Sequence, residues 1–224
     1  MNDGITLFGQ LGFSALSLGL LLLLALLLSS YVKIATVLGM VRLGFGFSSL
    51  PSAFVTGGLA ISLSFFVMYP TLQRSTAAMD RSIAAKAGVA ISDSDRAAAL
   101  NAGIAEWKPF LQRFAEKKDV ARFVDVAKRL DGKDAVAGNA LADSWRILVP
   151  AFVVSELKRA FVTGVNVFLP FLVIDIVVMA ILVAIGFEKL EPQVVAIPFK
   201  VTAFVLVDGW TIVTSNLVST YSVG

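Results

Sequence analysis

Residues 160–187 read AFVTGVNVFLPFLVIDIVVMAILVAIGF, twenty-eight positions with a single charge, Asp175. At 1.5 Å of rise per residue, about 20 helical residues cross the roughly 30 Å hydrocarbon layer of a bilayer, and this run exceeds that length. Working outward, comparable apolar runs occupy roughly residues 4–32, 43–73 and 201–224. Lipid offers no partner to backbone N–H and C=O groups, so a spanning segment satisfies them internally, and runs this long do so as helices and not as barrel strands. The expected class is all-α: a polytopic helical membrane protein with long kinked helical hairpins and a small helical extramembrane domain.

Composition agrees. Hydrophobic residues make up 57% of the 224 positions and charged residues 16%, with a mean hydropathy of +0.83, more apolar surface than a soluble core of this size can hide. Charge is also segregated, since residues 74–146 hold 13 of the 19 Lys and Arg and 10 of the 16 Asp and Glu. Three parts follow: hydrophobic helices in two segments over 1–70, a polar helical domain over 71–149, and a hydrophobic helical hairpin over 150–224. The net charge of +3 is a slight excess on a mixed surface with no basic stripe, which argues against nucleic acid as a partner. Cys and His are absent, which removes disulfides, thiol nucleophiles, imidazole acid–base chemistry and the usual soft metal ligands. No catalytic residue, metal site or cofactor is assigned, and the chain is not read as an enzyme. The first apolar run lacks a basic leader and exceeds the 7 to 15 apolar residues of a secretory signal, so residues 5–28 are expected to be a retained first span.

Punctuation sets the expected boundaries. Residues 31–41 extend the first helix until Gly44 and Gly46 end it. Pro51 opens a second helix capped by Ser48 or Ser49, and Pro70 closes it. Gly57, Gly58, Ala60, Ser62 and Ser64 leave one side of that helix thin enough for close helix packing. In the polar block, Ser92 or Asp93 caps a helix to about Lys117 that is redirected near Pro109. Asp119 caps another, with Val120, Phe123, Val124, Val126 and Ala127 on one side, until Asp131 and Gly132 stop it. A third span runs over 160–187 with a kink at Pro170.

Charges inside apolar runs need partners, because a carboxylate at a helix centre costs on the order of 3 kcal/mol. Asp175 and Asp208 are two such residues. A hairpin centred near residue 188 places Asp175 and Lys200 at nearly equal distances from its tip, so they are expected to pair, within a protomer or across to a neighbour. Glu156 and Arg159 are spaced i, i+3 for an ion pair in water worth a few tenths of a kcal/mol, and with Lys158 they complete the candidates for buried or subunit-interface charges. Lys33 and Arg42 on a short connection place that loop in the cytoplasm, with the termini and the polar block outside.

Several phrases resemble one family. Tyr31-Val32-Lys33-Ile34-Ala35-Thr36-Val37-Leu38, Gly58-Leu59-Ala60, Phe66-Val67-Met68-Tyr69-Pro70, Pro150 through Lys158, Phe168 through Asp175, Pro198-Phe199-Lys200 and Phe204 through Trp210 are similar to the SctR and FliP family of type III secretion export-apparatus proteins in the bacterial inner membrane. Met68-Tyr69-Pro70 looks closer to the virulence SctR branch. The resemblance implies a homo-pentamer joined to SctS-type and SctT-type subunits, with SctU and SctV nearby, forming a conical channel for unfolded protein substrates that is raised toward the periplasm. It also implies that hydrophobic segments long enough to span need not each do so. Family members commonly close the pore with methionines after a glycine between the last two segments. This chain has Gly186-Phe187-Glu188-Lys189-Leu190 there, so Phe187 and Leu190, with Glu188 and Lys189 around the ring, are the implied gate.

Two other classes compete with a pore subunit. A self-contained ion or solute transporter calls for inverted repeats and a polar site at mid-membrane, and no repeat is legible. An enzyme with its site in the polar domain has the least support, given the residue inventory.

Overall fold

A computed structural model describes residues 19–20, 22–46, 50–85, 91–131, 141–187 and 189–222. Among these residues there is no strand. The helices are α1 Tyr31–Phe45, α2 Leu50–Ala84, α3 Asp93–Ala105, α4 Lys108–Phe114, α5 Lys117–Asp131, α6 Trp145–Ala184, α7 Pro192–Leu206 and α8 Gly209–Ser219, preceded by a helical segment at residues 22–27. Most of the first apolar run, the cap candidates Ser48 and Ser49, Gly132 and Glu188 lie outside the described residues.

Helix α1 is the centre of the fold. Its Ile34, Val37, Leu38 and Val41 are at most 1% exposed, enclosed by α2, α6 and α7. At about 22 Å it is too short to cross a bilayer. It does not continue the first run as expected, because the helix breaks at Ser29-Ser30. There the Ser29 hydroxyl donates to the Leu26 carbonyl (2.8 Å) and accepts from the Tyr31 N–H (3.2 Å). The Ser30 hydroxyl donates to that of Ser64 on α2 (3.1 Å), which donates in turn to Ser29 (3.3 Å). Gly46, in the left-handed region at φ 84°, ends α1. Of the thin side expected on α2, only Ala60 and Ser64 face α1; Gly58 and Ser62 are exposed.

The α1–α6 crossing depends on Gly44. A Cβ there would lie 2.5 Å from the Phe171 ring, which is wedged against Phe45 (centroids 4.8 Å) and Phe204 (5.9 Å). The ring has to shift for any side chain to fit, so Gly44→Val is expected to cost about 1–3 kcal/mol through overpacking. A lowered thermal midpoint in detergent would register it.

The two longest helices differ from expectation in length. Helix α2 runs 35 residues straight through Pro70, and α6 runs 40 residues through Pro150 and Pro170. Neither the stop at Pro70 nor a start near residue 160 occurs. A proline removes one helical hydrogen bond, and packing on both sides of it sustains the helix. Past Pro70, the Ser75 hydroxyl donates to the Gly103 carbonyl of α3 (2.7 Å); past Pro150, Ala151 and Phe152 are completely buried. These helices are about 52 and 60 Å long, well beyond a hydrocarbon layer. The boundaries at 70/71 and 149/150 therefore fall inside helices, and the polar part grows continuously out of the apolar ones.

Four spans are not what the described residues contain. Ala53–Ala84 and Trp145–Ala184 are long and apolar enough to cross a membrane, and a third would come from α7 and α8, which are bent by 62°. Only 17% of the most apolar window of each long helix is buried within the chain. The remaining residues are half-buried or exposed.

In the polar part, Ser92 caps α3 in a reciprocal box with Asp95, but α3 ends at Ala105 and not near Lys117. Pro109 opens the separate α4. Helix α5 starts at Lys117, so Asp119 lies within its first turn and does not cap it. Val120, Phe123, Val124 and Ala127 pack toward Leu141 and Ile147, whereas Val126 is 49% exposed.

Candidate functional site

Glu156, at 0% exposure, is the hub of a buried charge cluster where α1, α4, α6 and the last turn of the described chain meet. Its carboxylate accepts from Arg159 Nη1 (2.6 Å) one turn along α6, and from the Tyr221 hydroxyl. Arg159 also donates to the Phe114 carbonyl at the end of α4 (2.7 Å), and its Nε stands 3.6 Å from Glu116. Lys33, 3% exposed, donates to the Thr220 hydroxyl (2.8 Å) and lies 4.8 Å over the Tyr221 ring. That ring stacks on Phe110 and meets Phe114 edge-on.

A second layer adjoins it. Asp119, 1% exposed, accepts from Lys158 Nζ and from the Ser155 hydroxyl (2.8 Å), and Ser155 accepts the Glu116 N–H (2.9 Å). Arg122 stands 3.8 Å away. The hydrogen bond from Lys158, more than any other contact, holds the Asp119 carboxyl below its ordinary range, and the Lys118 side chain does the same for Glu116. A carboxylate held low in the folded chain favours folding above its ordinary range, and that contribution is lost as pH falls through the depressed value. Docking of α5 on α6 is therefore expected to loosen below about pH 4, seen as faster amide exchange across residues 117–131, and Asp119→Asn makes that acid step smaller, leaving the part due to Glu116.

The pair inferred from hairpin spacing is present within the chain. Lys200 Nζ donates to Asp175 Oδ2 (2.8 Å) and lies 2.7 Å from Oδ1; Lys200 is 2% exposed and the Asp175 side chain 24%. Above it, α6 ends in a Schellman turn: Gly186 adopts φ 77°, its N–H reaches the Val183 carbonyl (3.1 Å) and the Phe187 N–H reaches that of Leu182 (2.9 Å). Pro192 starts α7. Of the implied gate residues, Phe187 and Leu190 are 55% and 48% exposed at the tip, Lys189 is exposed beside them, and Glu188 lies outside the described residues.

Sequence spacing and structure disagree at three charges. The Glu156–Arg159 pair is not a surface pair, since Glu156 is fully enclosed while the Arg159 side chain is 32% exposed. Lys33 is not a loop charge, which removes one of the two residues on which the orientation rested. Asp208 is exposed in the single chain and sits at the α7–α8 bend in the left-handed region (φ 49°). Gly209 follows it because the Phe204 ring lies 2.4 Å from where a Cβ would stand. Sequence reasoning missed Asp119, Ser155, Thr220 and Tyr221 as cluster members. For Lys33 a signal existed: it shares a helical stripe with Val37, Val41 and Gly44, all buried.

The cluster is internally paired and offers no open nucleophile or base; it joins elements distant in sequence. The conserved pattern of the FliP family matches residues 15–217. The chain belongs to the FliP family. Among its relatives, Yop proteins translocation protein R of Yersinia pestis is 38% identical over 204 residues, 91% of this chain and 92% of that protein. Hypersensitivity response secretion protein HrcR of Ralstonia nicotianae is 34% identical over 214 residues, 96% and 97% of the two chains. Flagellar biosynthetic protein FliP of Bacillus subtilis is 33% identical over 201 residues, 88% and 84%. The match to the FliP family takes in the Asp175–Lys200 hairpin and the α1, α4 and α6 parts of the charge cluster, and stops short of Thr220 and Tyr221.

Proposed function

We propose that this chain is a subunit of the type III secretion export apparatus in the bacterial inner membrane, and that by homo-oligomerisation it forms the core of a conducting channel for unfolded protein substrates. The supporting observation is the α6–α7 hairpin. It is apolar and largely uncovered in the single chain, yet it is braced by a buried ion pair and ends in a formed turn. Outside the bilayer such a hairpin has too few partners of its own. Neighbouring copies, with SctS-type and SctT-type subunits and SctU and SctV around them, would cover it. In this reading the polar part, roughly residues 71–149, faces the periplasm, and the long α2 and α6 carry the assembly beyond the bilayer surface. No catalytic step is assigned to the chain.

Deleting the gene and measuring protein release into the medium tests the role, with complementation by the wild-type chain; release that continues without it rejects the proposal. Phe187 and Leu190, at the exposed tip, are proposed to close the conduit. Phe187→Ala is expected to raise ion leak through assembled complexes several-fold while complex yield holds, since truncating an aromatic ring opens the constriction. Unchanged leak places the closure elsewhere.

A further inference from the structure

The polar part also exposes large apolar side chains. Between residues 85 and 146, among the described residues, these are Ile91, Leu100, Ile104, Val126 and Leu130, and all but Ile91 lie on α3 or α5. On α3, Ala97, Leu100, Asn101 and Ile104 are exposed, and their spacing of i, i+3, i+4 and i+7 makes them the four corners of one hole on the helix surface. Gly103, on another side, takes the Ser75 hydroxyl of α2 on its carbonyl (2.7 Å). On α5, Leu130 is 74% exposed and Val126, one turn before it, is exposed too, while Ala127 turns inward toward Ile147. Each helix thus keeps one face for its own chain and leaves a second uncovered.

Charge separates the two helices. Residues 93–106 carry three acidic residues and one basic, a net of −2, and residues 117–131 carry five basic and three acidic, a net of +2. Opposite nets favour a meeting of α3 with α5, whereas either helix facing its own copy meets like charge. The spacing also sets a direction. Asp93 stands eight residues before Asn101, and Arg122 eight before Leu130, so with Leu130 in the hole a parallel arrangement brings Asp93 beside Arg122 and Ala97 under Val126. Reversed, Arg122 would run past the end of α3 at Ala105 toward Lys108. Asp93 and Arg122 also touch Arg96 (3.3 Å) and Asp119 (3.8 Å) in their own chain, so the charges choose the direction and the apolar side chains supply the attraction.

We infer that α3 of one copy docks parallel to α5 of the next, with Leu130 as the knob in the hole formed by Ala97, Leu100, Asn101 and Ile104. Two unlike faces that recur on every copy make a head-to-tail contact, the kind that closes a ring. This docking presupposes the homo-oligomer proposed above and names the surfaces that join its polar parts.

A chain without cysteine gives engineered thiols a clean background. Leu100→Cys and Leu130→Cys, on separate copies expressed together, are treated with a short bismaleimide in the intact complex purified in mild detergent, once native mass spectrometry has given its copy number. A bridged dimer of the two variants is expected, and neither variant alone should yield one, because each face would have to meet itself. Asp93→Lys on the Leu100→Cys copy lowers the bridged fraction several-fold, and Arg122→Glu on the Leu130→Cys copy restores it. A complex holding a single copy removes the homo-oligomer and this contact together. With several copies present, three results each overturn the docking while the homo-oligomer stands: no bridged dimer from the mixture, a dimer from either variant alone, or a bridged fraction indifferent to Asp93→Lys.

Discussion

Glu156→Ala is expected to abolish assembly. The substitution removes the fully enclosed carboxylate that Arg159 and Tyr221 share, and leaves Arg159 with Glu116 as its only carboxylate, at 3.6 Å. Lys33, a few residues away in space, then stays buried with only the Thr220 hydroxyl and the Tyr221 ring around its ammonium. Removing one partner from a buried ionic group costs about 3–5 kcal/mol, a large share of the 5–15 kcal/mol by which a domain is stable. Three elements lose their junction at once: α1 through Lys33, α4 through the Phe114 carbonyl, and the last turn through Tyr221. The measurement is the yield of intact complex from membranes and the thermal midpoint of what is recovered. Tyr221→Phe, which removes only a hydroxyl, should assemble with a midpoint lowered by about 1–3 kcal/mol equivalent, the cost of leaving an acceptor short of one bond. If Glu156→Ala assembles as well as wild type, the cluster is not what joins these elements.

Class and hairpin were legible in residues 160–187 because apolar length and the cost of an unpaired backbone leave few solutions in lipid. The Asp175–Lys200 pair was legible for a simpler reason: two antiparallel helices of equal rise bring residues equidistant from their turn side by side. The Glu156 cluster was not. Its members come from α1, α4, α6 and the last turn, and nothing in local spacing encodes which helices meet. The i, i+3 rule captured Glu156 and Arg159 correctly as neighbours and misjudged their surroundings, since burial is set by Phe110, Phe114 and Phe152 packing around them.

Proline misled in one direction. Pro70 looks like an end in isolation, yet a long helix passes through it, as another passes through Pro150 and Pro170. The true break in the last segment lies at Asp208-Gly209, a turn-forming dipeptide hidden in an apolar run, where the left-handed backbone at Asp208 and the missing Cβ at Gly209 let Phe204 close over the bend. Hydropathy follows composition and is blind to that backbone angle. The two serines at 29 and 30 were hidden too: the Ser29 hydroxyl bonds the backbone on both sides of the break and that of Ser30 reaches Ser64 on α2, so no polar stretch marks the interruption.

Lys200→Met is expected to weaken the hairpin and not the rest of the fold. It strips Asp175 of its countercharge in the apolar last quarter of α6, next to Ile174 and Ile176. Because the Asp175 side chain keeps 24% of its surface open and can take up a proton, the loss falls short of the full buried-pair cost, on the order of 2 kcal/mol. Removing both charges tells packing from chemistry. Replacing a buried pair by apolar residues of similar volume is often neutral, so Lys200→Met with Asp175→Leu should restore the thermal midpoint and the yield of complex. Secretion then separates two roles. If it returns with stability, the pair is a brace that fixes the register of α6 against α7 and so sets where Phe187 and Leu190 stand. A stable, assembled double variant that still fails to secrete would mean that the charges themselves face the passing chain, and the brace reading would have to be abandoned.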